Sequence, residues 1–292
     1  MKGRTIMKLK KMVAVMMTGV LLATSFTACG KSTKGSKQVK VINIDLTDEE
    51  YAFGVDKDQP QLLEEVNNFI KTINDDGTFD QICERYFGDG GKPEGVKSAE
   101  LDDNKDQLVV ATNAEFEPFE YMEGDTYYGI DMEIAAALAK HLGKELVIQN
   151  MSFDAVCLTV GQHKCDIAMA GLTVKPEREE FVTFSDSYYA ASQRLIVMKN
   201  NTEFDNCKTT SDVEKILNDK AKDCKVGVQN GTTGQLYCEG DEEWEFKGFG
   251  FTTKGYANGA LAVQDMINGN INYVIIDSAP AKAITGKMNK MN

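Results

Sequence analysis

Short runs of β-forming residues alternate with longer stretches of helical periodicity along most of this 292-residue chain. In one of the helical stretches, an apolar stripe runs from Ile130 to Leu142 and Gly143 ends it. The alternation predicts an α/β fold with mainly parallel sheets that helices cover on both faces. Six runs have the length and composition of buried strands: 108–112, 146–150, 167–170, 195–198, 225–229 and 273–277.

A second apolar stripe at helical spacing occupies 62–73, after Pro60 and before the turn at 75–77. The chain is too long for one comfortable hydrophobic core, so we expect two lobes. In such folds, ligands bind at the carboxyl ends of the strands.

The N-terminal segment reads as an export signal. Five basic residues within the first eleven positions precede an apolar run from Met12 to about Thr27, which is too short for a spanning helix. The run stops at "FTACG", which resembles the bacterial lipoprotein box, in which Cys29 would carry the lipid; Phe26 departs from the usual aliphatic residue. We therefore predict a lipoprotein signal peptide at 1–28 and a tether at 29–40, on the outer face of the cytoplasmic membrane. An ordinary secretory signal that contains a cysteine is the alternative.

The formal charge of −13 makes nucleic acid an improbable partner, and removal of 1–28 would make the charge more negative, because that segment is basic. Six cysteines follow Cys29, without a CxxC pair, and only two histidines occur. A structural zinc site is therefore not expected. An exported chain permits disulfides, but free buried cysteines fit equally well, and no pairing follows from the sequence.

One stretch, 88–107, is rich in glycine and charge and nearly free of apolar residues. Its composition predicts a linker. A flexible chain of that length spans about 25 Å, which is enough to join two ends on the surface of one lobe.

Several blocks of the sequence together resemble the polar amino-acid binding proteins of ABC transporters, which have the periplasmic-binding-protein type II fold. The resemblance covers nearly all of 41–292. The fold it implies is α/β and two-lobed with two hinge crossings, at 195–199 and 52–56. The blocks are "VVATNAEFEPFEY", "GIDMEIAAALAKHLG", "FDAVCLTVGQHKCDIAMAGLTVKPERE", "FSDSYY", "KVGVQNGTTGQ" and "INYVIID".

The order of the blocks departs from the family. The segment 46–88 resembles the block that normally ends the family's chain, yet here it comes first. The resemblance thus implies a circular permutation, with the family's usual ends joined through 88–107. It predicts a continuous first lobe at 53–194 and a second lobe split into 41–52 and 195–292. Adjacent termini on a surface make such a rearrangement physically mild.

By this resemblance, two regions bind the carboxylate of a free amino acid. Arg178 supplies a bidentate guanidinium, and Gly171 and Thr173 before it supply a close backbone approach, a hydroxyl and an N–H. Thr233 and Gly234, in "NGTTG", open a helix with N–H groups that face the same carboxylate. A solvated arginine at a helix start is the alternative for Arg178.

The resemblance assigns the ammonium of the ligand to Asp277, although an aspartate there could simply cap a helix. Phe116 would stack on the ligand, and Phe153 would close the other side unless it only packs. Asn113 and Gln229 would face the ligand's side chain. Asn113 stands where several relatives carry an acid, so we expect a neutral or polar amino acid rather than a cationic one.

The resemblance implies a receptor that closes on its ligand and delivers it to an ABC permease. We expect a monomer without metal or cofactor. Two alternatives remain: a dehydratase-like enzyme on the same fold, and a ligand sensor for a signalling partner. No nucleophile–base pair, metal cluster or cofactor loop in the sequence favours an enzyme.

Overall fold

The computed structural model describes residues 37–88 and 91–291, which fall in one compact unit. Proline opens the first helix and a left-handed Gly143, at φ 71°, ends the third, as the sequence predicts. The helices are α1 (Pro60–Asp75), α2 (Thr78–Phe87), α3 (Ile130–Leu142), α4 (Phe153–Gly161), α5 (Pro176–Glu179), α6 (Thr210–Asn218), α7 (Thr233–Glu239), α8 (Gly259–Ile267) and α9 (Ser278–Met291).

The strands form two five-stranded sheets and two small ones. All six predicted strands are present, and the one predicted at 167–170 is shorter, because only two of its residues pair. The strands are β1 (Val39–Val41), β2 (Glu49–Tyr51), β3 (Gly54–Asp56), β4 (Gln107–Thr112), β5 (Glu115–Phe116), β6 (Glu120–Glu123), β7 (Thr126–Tyr128), β8 (Glu145–Asn150), β9 (Ile167–Ala168), β10 (Val182–Phe184), β11 (Tyr189–Ala191), β12 (Gln193–Met198), β13 (Lys225–Gln229), β14 (Thr252–Tyr256) and β15 (Tyr273–Asp277).

The first sheet has the order β10-β3-β9-β4-β8, and the second has the order β1-β12-β15-β13-β14. In each sheet two neighbouring pairs are parallel and two are antiparallel. The prediction of mainly parallel sheets is therefore wrong for half of the pairings. The cause is that strands from distant segments join each sheet: β3 lies inside the first and β1 edges the second.

Helices cover the two main sheets and bury their apolar faces. In the first sheet, α3 packs on β8 and β4, α4 packs on β4 and β9, and α1 lies against β3. In the second, α7 and α8 pack on β13 and β15, while α9 packs on β1 and β12. Polar residues stand at the carboxyl ends of three of these strands: Asn113 follows β4, Gln229 ends β13 and Asp277 ends β15.

The antiparallel ribbon of β2 and β11 carries the chain between the two main sheets. The predicted crossing at 195–199 is wrong in position, because that segment already pairs inside β12. The passage occurs earlier, at 189–192. The other predicted crossing, at 52–56, is also wrong in position, because 54–56 already pairs in the first sheet as β3, and the passage there runs through β2. The predicted lobe boundaries remain a prediction.

The described part of the predicted linker contains no helix or strand before β4 begins at Gln107. Val96 pairs with Tyr127 only as an isolated bridge. All six cysteines in the described part of the chain are free thiols. No helix among these residues is long and apolar enough to cross a membrane. Cys29 and the predicted signal peptide lie outside the described residues.

Candidate functional site

Polar side chains from the two main sheets meet at the carboxyl ends of their strands. Asn113 directly follows β4 of the first sheet, and Gln229 ends β13 of the second. Gln229 Nε2 donates to Asn113 Oδ1 at 3.1 Å, and Asn113 Nδ2 donates to the Met151 carbonyl at 2.8 Å. Both side chains are buried. The structure therefore brings these two predicted residues together from separate sheets.

Each main sheet with its helices forms one side of this region, and we call them the first side and the second side after their sheets. Arg178 extends from the first side to the second. It lies in the short helix α5, which Pro176 opens. Its Nη1 donates to the Thr173 carbonyl at 2.6 Å, and its Nη2 donates to the Gly231 carbonyl at 3.2 Å. The guanidinium carbon lies 5.2 Å from the centre of the Phe153 ring. Two predicted site residues, Arg178 and Phe153, are therefore neighbours.

Thr173 and Thr233 come from opposite sides and share one acceptor. The hydroxyl of each donates to Glu49 Oε2, both at 2.7 Å. Glu49 lies in β2, and its side chain is 3% exposed. Gly234 follows Thr233 in the first turn of α7, and a Cβ added there would lie 2.8 Å from Gln193 Oε1. In this conformation both hydroxyls are directed at a residue that sequence reasoning missed.

Asp277 ends β15 and is buried beside another acid. The Tyr51 hydroxyl donates to Asp277 Oδ1 at 2.6 Å. Burial and the nearby charge of Glu49 raise the pKa of Asp277 to about 7, although hydrogen bonds from Tyr51 and Gln193 oppose the rise. Asp277 is thus a carboxylate whose ionised form a cationic group would stabilise.

Gly171 allows a close approach of backbone and ring. Its φ is 52°, and a Cβ there would lie 3.0 Å from the Phe116 ring. Phe116 is 6% exposed and stacks on Phe119, with ring centres 6.2 Å apart. The Gly171 N–H donates to Asp131 Oδ2 at 2.9 Å. The left-handed φ and the close Phe116 ring therefore favour glycine at this position.

Two further buried acids, Asp131 and Glu120, lie near each other, and Glu120 also lies near Asp277. Asp131 also accepts from the Tyr188 hydroxyl at 2.7 Å, and burial raises its pKa to about 7 against these hydrogen bonds. Glu120 is fully buried, and within the described residues neither of its oxygens has a hydrogen-bond partner. Burial, with the charges of Asp131 and Asp277, holds the pKa of Glu120 well above its usual range. The interior at this point therefore carries an excess of acid.

A partly open pocket of about 320 Å³ lies between the sides, and Asn113 and Phe153 are the predicted site residues among its lining. That volume is at the lower end of small-molecule sites. Asp154 lies so close to Gly231 of the other side that a Cβ there would be 2.3 Å from its Oδ1. The cavity is lined by Asn113, Glu115, Asn150, Met151, Ser152, Phe153, Asp154, Asn230 and Ala257.

A salt-bridge cluster also joins the two sides. Lys175 is 1% exposed, and its Nζ lies 2.8 Å from Asp241 Oδ2 and in contact with Glu243. The same Nζ lies 4.5 Å from the centre of the Trp244 ring. Although burial lowers it, hydrogen bonds to Asp241 and Glu243 leave the pKa of Lys175 raised overall. This cluster consists of Lys175, Asp241, Glu243 and Trp244, and we call it the lysine cluster.

Sequence reasoning missed Glu49, Tyr51, Gln193 and Lys175 as residues of this region. The signal for Glu49 and Tyr51 is weak: they are two positions apart and so lie on the same face of a strand of only three residues. Nothing in the sequence marks Gln193 or Lys175 as buried, because their partners lie 40 or more residues away.

A separate group could be considered for a metal ion. One ligating atom from each of Asp56, Asp58 and His163 lies within 4.8 Å of the others. His163 Nδ1 lies 2.8 Å from Asp56 Oδ2, and its Nε2 lies 3.6 Å from Asp58. The hydrogen bond to Asp56 raises the pKa of His163. Both ring nitrogens face carboxylates, which is the geometry of a charged histidine between two acids.

Comparison with known proteins places the chain in a family. The model of the bacterial extracellular solute-binding proteins, family 3, matches residues 108–277. The arginine-binding extracellular protein ArtP of Bacillus subtilis (strain 168) is 34% identical over 138 residues, 47% of this chain and 49% of that protein. The chain thus spans about half the length of this curated relative.

Two solved structures are similar in fold and sequence. An ancestral arginine-binding protein bound to arginine has a TM-score of 0.53 at 30% identity, over 63% of this chain and 75% of that one. The ancestral amino acid-binding protein AncCDT-1, a precursor of cyclohexadienyl dehydratase, has a TM-score of 0.52 at 30% identity, over 72% and 78%. The α/β solute-binding fold is confirmed by these matches, and the chain belongs to the bacterial extracellular solute-binding proteins, family 3.

Proposed function

We propose that this protein is an extracytoplasmic receptor that binds a free amino acid between its two sides and delivers it to an ABC transporter. One observation carries the proposal: two hydrogen bonds and one charge interaction lead from a guanidinium to a buried acid. Arg178 donates to the Thr173 carbonyl, and the Thr173 hydroxyl donates to Glu49, whose charge acts on Asp277. A zwitterion needs a cation for its carboxylate and an acid for its ammonium, both fixed in a dry site.

In this proposal Arg178 binds the carboxylate, with Gly171, Thr173, Thr233 and Gly234 around it. Asp277 binds the ammonium. The ring of Phe116 supports the ligand, and Phe153 closes the site from the side of Arg178. Because these residues come from both sides, a ligand that contacts all of them favours a closed arrangement of the two sides.

The class of ligand side chain is the finer part of the proposal. Asn113 and Gln229, both neutral, favour a polar or neutral side chain. ArtP and one of the two solved structures are named for arginine, a further relative is the histidine-binding periplasmic protein of Escherichia coli, and Glu115 and Asp154 line the pocket beside Asn113. We therefore propose L-arginine, L-histidine and L-glutamine as the first ligands to compare. A cationic ligand would use the acids at the cavity, and a neutral one would use the two amides.

The first experiment is calorimetric titration of the soluble chain, residues 37–292, with the twenty L-amino acids. Saturable binding of at least one amino acid supports the proposal, and a matched titration with the decarboxylated analogue should show no binding. If none of the twenty binds or raises the melting temperature, the amino-acid proposal fails.

A pair of substitutions tests the carboxylate assignment. Arg178→Ala leaves the ligand carboxylate without its charged partner, which costs about 3 to 5 kcal/mol when the site is dry. Phe116→Ala loses aromatic burial, about 1.5 to 3 kcal/mol. Titration of both variants should therefore show a larger loss for Arg178→Ala. Arg178→Lys is the control that keeps the charge but not the fork of donors. Equal losses in the two alanine variants would contradict the assignment.

Attachment to the membrane through lipid on Cys29 is also a proposal. Labelling of cells with a radioactive fatty acid should mark the wild-type protein, while Cys29→Ala should remain unlabelled and appear in the medium. Label on the Cys29→Ala variant would contradict it.

The circular permutation is supported by the position of the ends. Val39 N donates to Asn289 Oδ1 at 2.8 Å, and Asn289 Nδ2 donates back to the Val39 carbonyl at 2.9 Å, so the two ends of the described chain are adjacent. The family match begins at Leu108, after α1 and α2. A rearranged gene that places 41–88 after Asn292 through a short linker should give a folded, ligand-binding protein. An insoluble product from that gene, alongside a soluble original, would argue against the permutation.

A ligand sensor for a signalling partner remains one alternative, and an enzyme on the same fold is the other. The matched relatives are named as binding proteins, and one is named as a precursor of a dehydratase. Incubation with a panel of amino acids and cyclohexadienyl acids, followed by mass spectrometry, separates an enzyme from a receptor: a receptor returns its ligand unchanged.

A further inference from the structure

Glu49 is a buried acid at the joint of the two sides. It lies in β2, which follows β1 of the second sheet and precedes β3 of the first. Its neighbour Tyr51 pairs with Thr173 as an isolated antiparallel bridge, so β2 also lies against the predicted carboxylate region. The Glu49 side chain points inward, whereas that of Glu50 is exposed.

Four neutral donors satisfy the Glu49 carboxylate. Oε2 accepts from the hydroxyls of Thr173 and Thr233, both at 2.7 Å. Oε1 accepts from the Thr47 hydroxyl at 2.6 Å and from Gln193 Nε2 at 3.1 Å. Hydrogen bonds to a charged acceptor are the stronger kind. Among the described residues, none of the ion pairs involves Glu49. The carboxylate is therefore held by dipoles that come from both sides.

The two hydroxyls that share Oε2 belong to residues assigned to the carboxylate of the ligand. Thr173 comes from the first side and Thr233 from the second, so one oxygen of Glu49 links the sides in the way expected of a bound amino acid. A second carboxylate at the same hydroxyls would meet a like charge at short range, which is unfavourable in a site of low dielectric. Glu49 and a ligand carboxylate therefore exclude each other there.

We propose that Glu49 is an internal competitor for the carboxylate subsite: it links Thr173 and Thr233 across the two sides, and the carboxylate of the incoming ligand displaces it from both hydroxyls. This inference rests on the proposed function. It makes Glu49 a residue that sets affinity without contributing to the bound state.

The test removes the charge at Glu49 and keeps its shape. Glu49→Gln should bind the amino acid more tightly, with Kd lowered on the order of tenfold, the change that about 1.4 kcal/mol produces. Glu49→Asp, which keeps the charge but is too short to reach both hydroxyls, should also bind more tightly. Glu50→Gln is the matched control, because it makes the same charge change on the exposed face of the same strand, and its Kd should stay that of the wild type. Titration with L-arginine, or with the tightest binder among the twenty amino acids, measures Kd for the wild type and the three variants.

The opposite sign overturns the proposal. If Glu49→Gln binds as the wild type does, or more weakly, Glu49 is not a competitor. Circular dichroism and thermal melts establish that each variant is folded.

A second measurement does not depend on the ligand. Small-angle X-ray scattering without amino acid should give a larger radius of gyration for Glu49→Asp than for Glu50→Asp, because the shorter side chain no longer reaches both hydroxyls and the link between the sides is lost. An unchanged radius overturns the link, even if no amino acid binds the wild type and the proposed function itself fails. If the radius grows but no amino acid binds, the link stands and the receptor proposal fails.

Discussion

Two buried charged regions lie between the sides of this protein, and they differ in charge balance. In the lysine cluster, Lys175 meets Asp241 and Glu243, so the buried cation has buried and half-exposed acids beside it. The second region, which we call the acidic region, consists of the buried carboxylates of Asp277, Glu49 and Glu120. None of the ion pairs in the described residues brings a lysine or arginine to Asp277 or Glu120.

The difference separates a structural role from a binding role. In a buried ion pair each charge is compensated by its partner, so removing one partner leaves an unpaired buried charge. A group of buried acids without a cation can lower its free energy by taking up protons or by binding a positive group from outside. The lysine cluster therefore holds the two sides together, whereas the acidic region is suited to the ammonium of a ligand.

Disrupting the lysine cluster should have the largest effect on stability. Lys175→Met leaves Asp241 buried without a cation, which should lower the free energy of unfolding by about 3 to 5 kcal/mol. Urea unfolding followed by circular dichroism measures this loss. The double variant Lys175→Met with Asp241→Leu should recover most of it, because both charges are then absent.

An exposed pair provides the control for Lys175. Lys254 pairs with Asp265 at 2.7 Å, and the lysine side chain is 46% exposed. Lys254→Met should leave the free energy of unfolding nearly unchanged, because water screens an exposed ion pair. A loss as large as that of Lys175→Met would show that the burial of Lys175 is not the cause.

The acidic region should reveal itself through pH. The pKa of Asp277 is raised to about 7, so the folded protein binds more protons than the unfolded chain between about pH 4 and pH 7. The free energy of unfolding contributed by Asp277 is therefore present at low pH and is lost as the pH rises through 7. Its full size is at most about 4 kcal/mol, from roughly three pKa units.

Unfolding at pH 5 and pH 8 measures this dependence. The wild type should lose more stability between the two values than Asp277→Asn, which cannot titrate. The acidic interpretation is wrong if the two proteins show the same change. Because an ammonium prefers the ionised acid, the affinity for the amino acid should fall as the pH drops below 7.

The smallest effect should come from Glu120, which has no hydrogen-bond partner in the described chain. Replacement of an unsatisfied buried polar group by an apolar one of similar shape is neutral or stabilising. Glu120→Met should therefore raise the free energy of unfolding, by about 1 kcal/mol.

Glu133 is the matched control for Glu120, because it is also a buried glutamate but is well paired. It accepts from Arg85 Nε at 3.0 Å, from the Tyr86 hydroxyl at 2.6 Å and from the Glu94 N–H at 2.9 Å. Glu133→Met should lower the free energy of unfolding by about 3 kcal/mol or more, because Arg85 Nε, the Tyr86 hydroxyl and the Glu94 N–H all lose their acceptor. Thermal and urea unfolding of the two variants should give opposite signs.

The sequence by itself determined the α/β class, the position of every predicted strand, and the start and end of α1 and α3. These features depend on local patterns, such as apolar periodicity, Pro60 and Gly143, which act over a few residues. It also indicated Asn113, Arg178 and Asp277, because each lies in a block whose resemblance to the family is local.

Only the tertiary structure decided which residues meet. Glu49 bonds to Thr173 and Thr233, which lie 124 and 184 positions away, and Lys175 bonds to Asp241, 66 positions away. The mixed pairing of the sheets arose in the same way, from β1 and β3 joining strands far along the chain. A single sequence carries no local signal for such contacts, because they are fixed by how whole sheets pack and not by neighbouring residues.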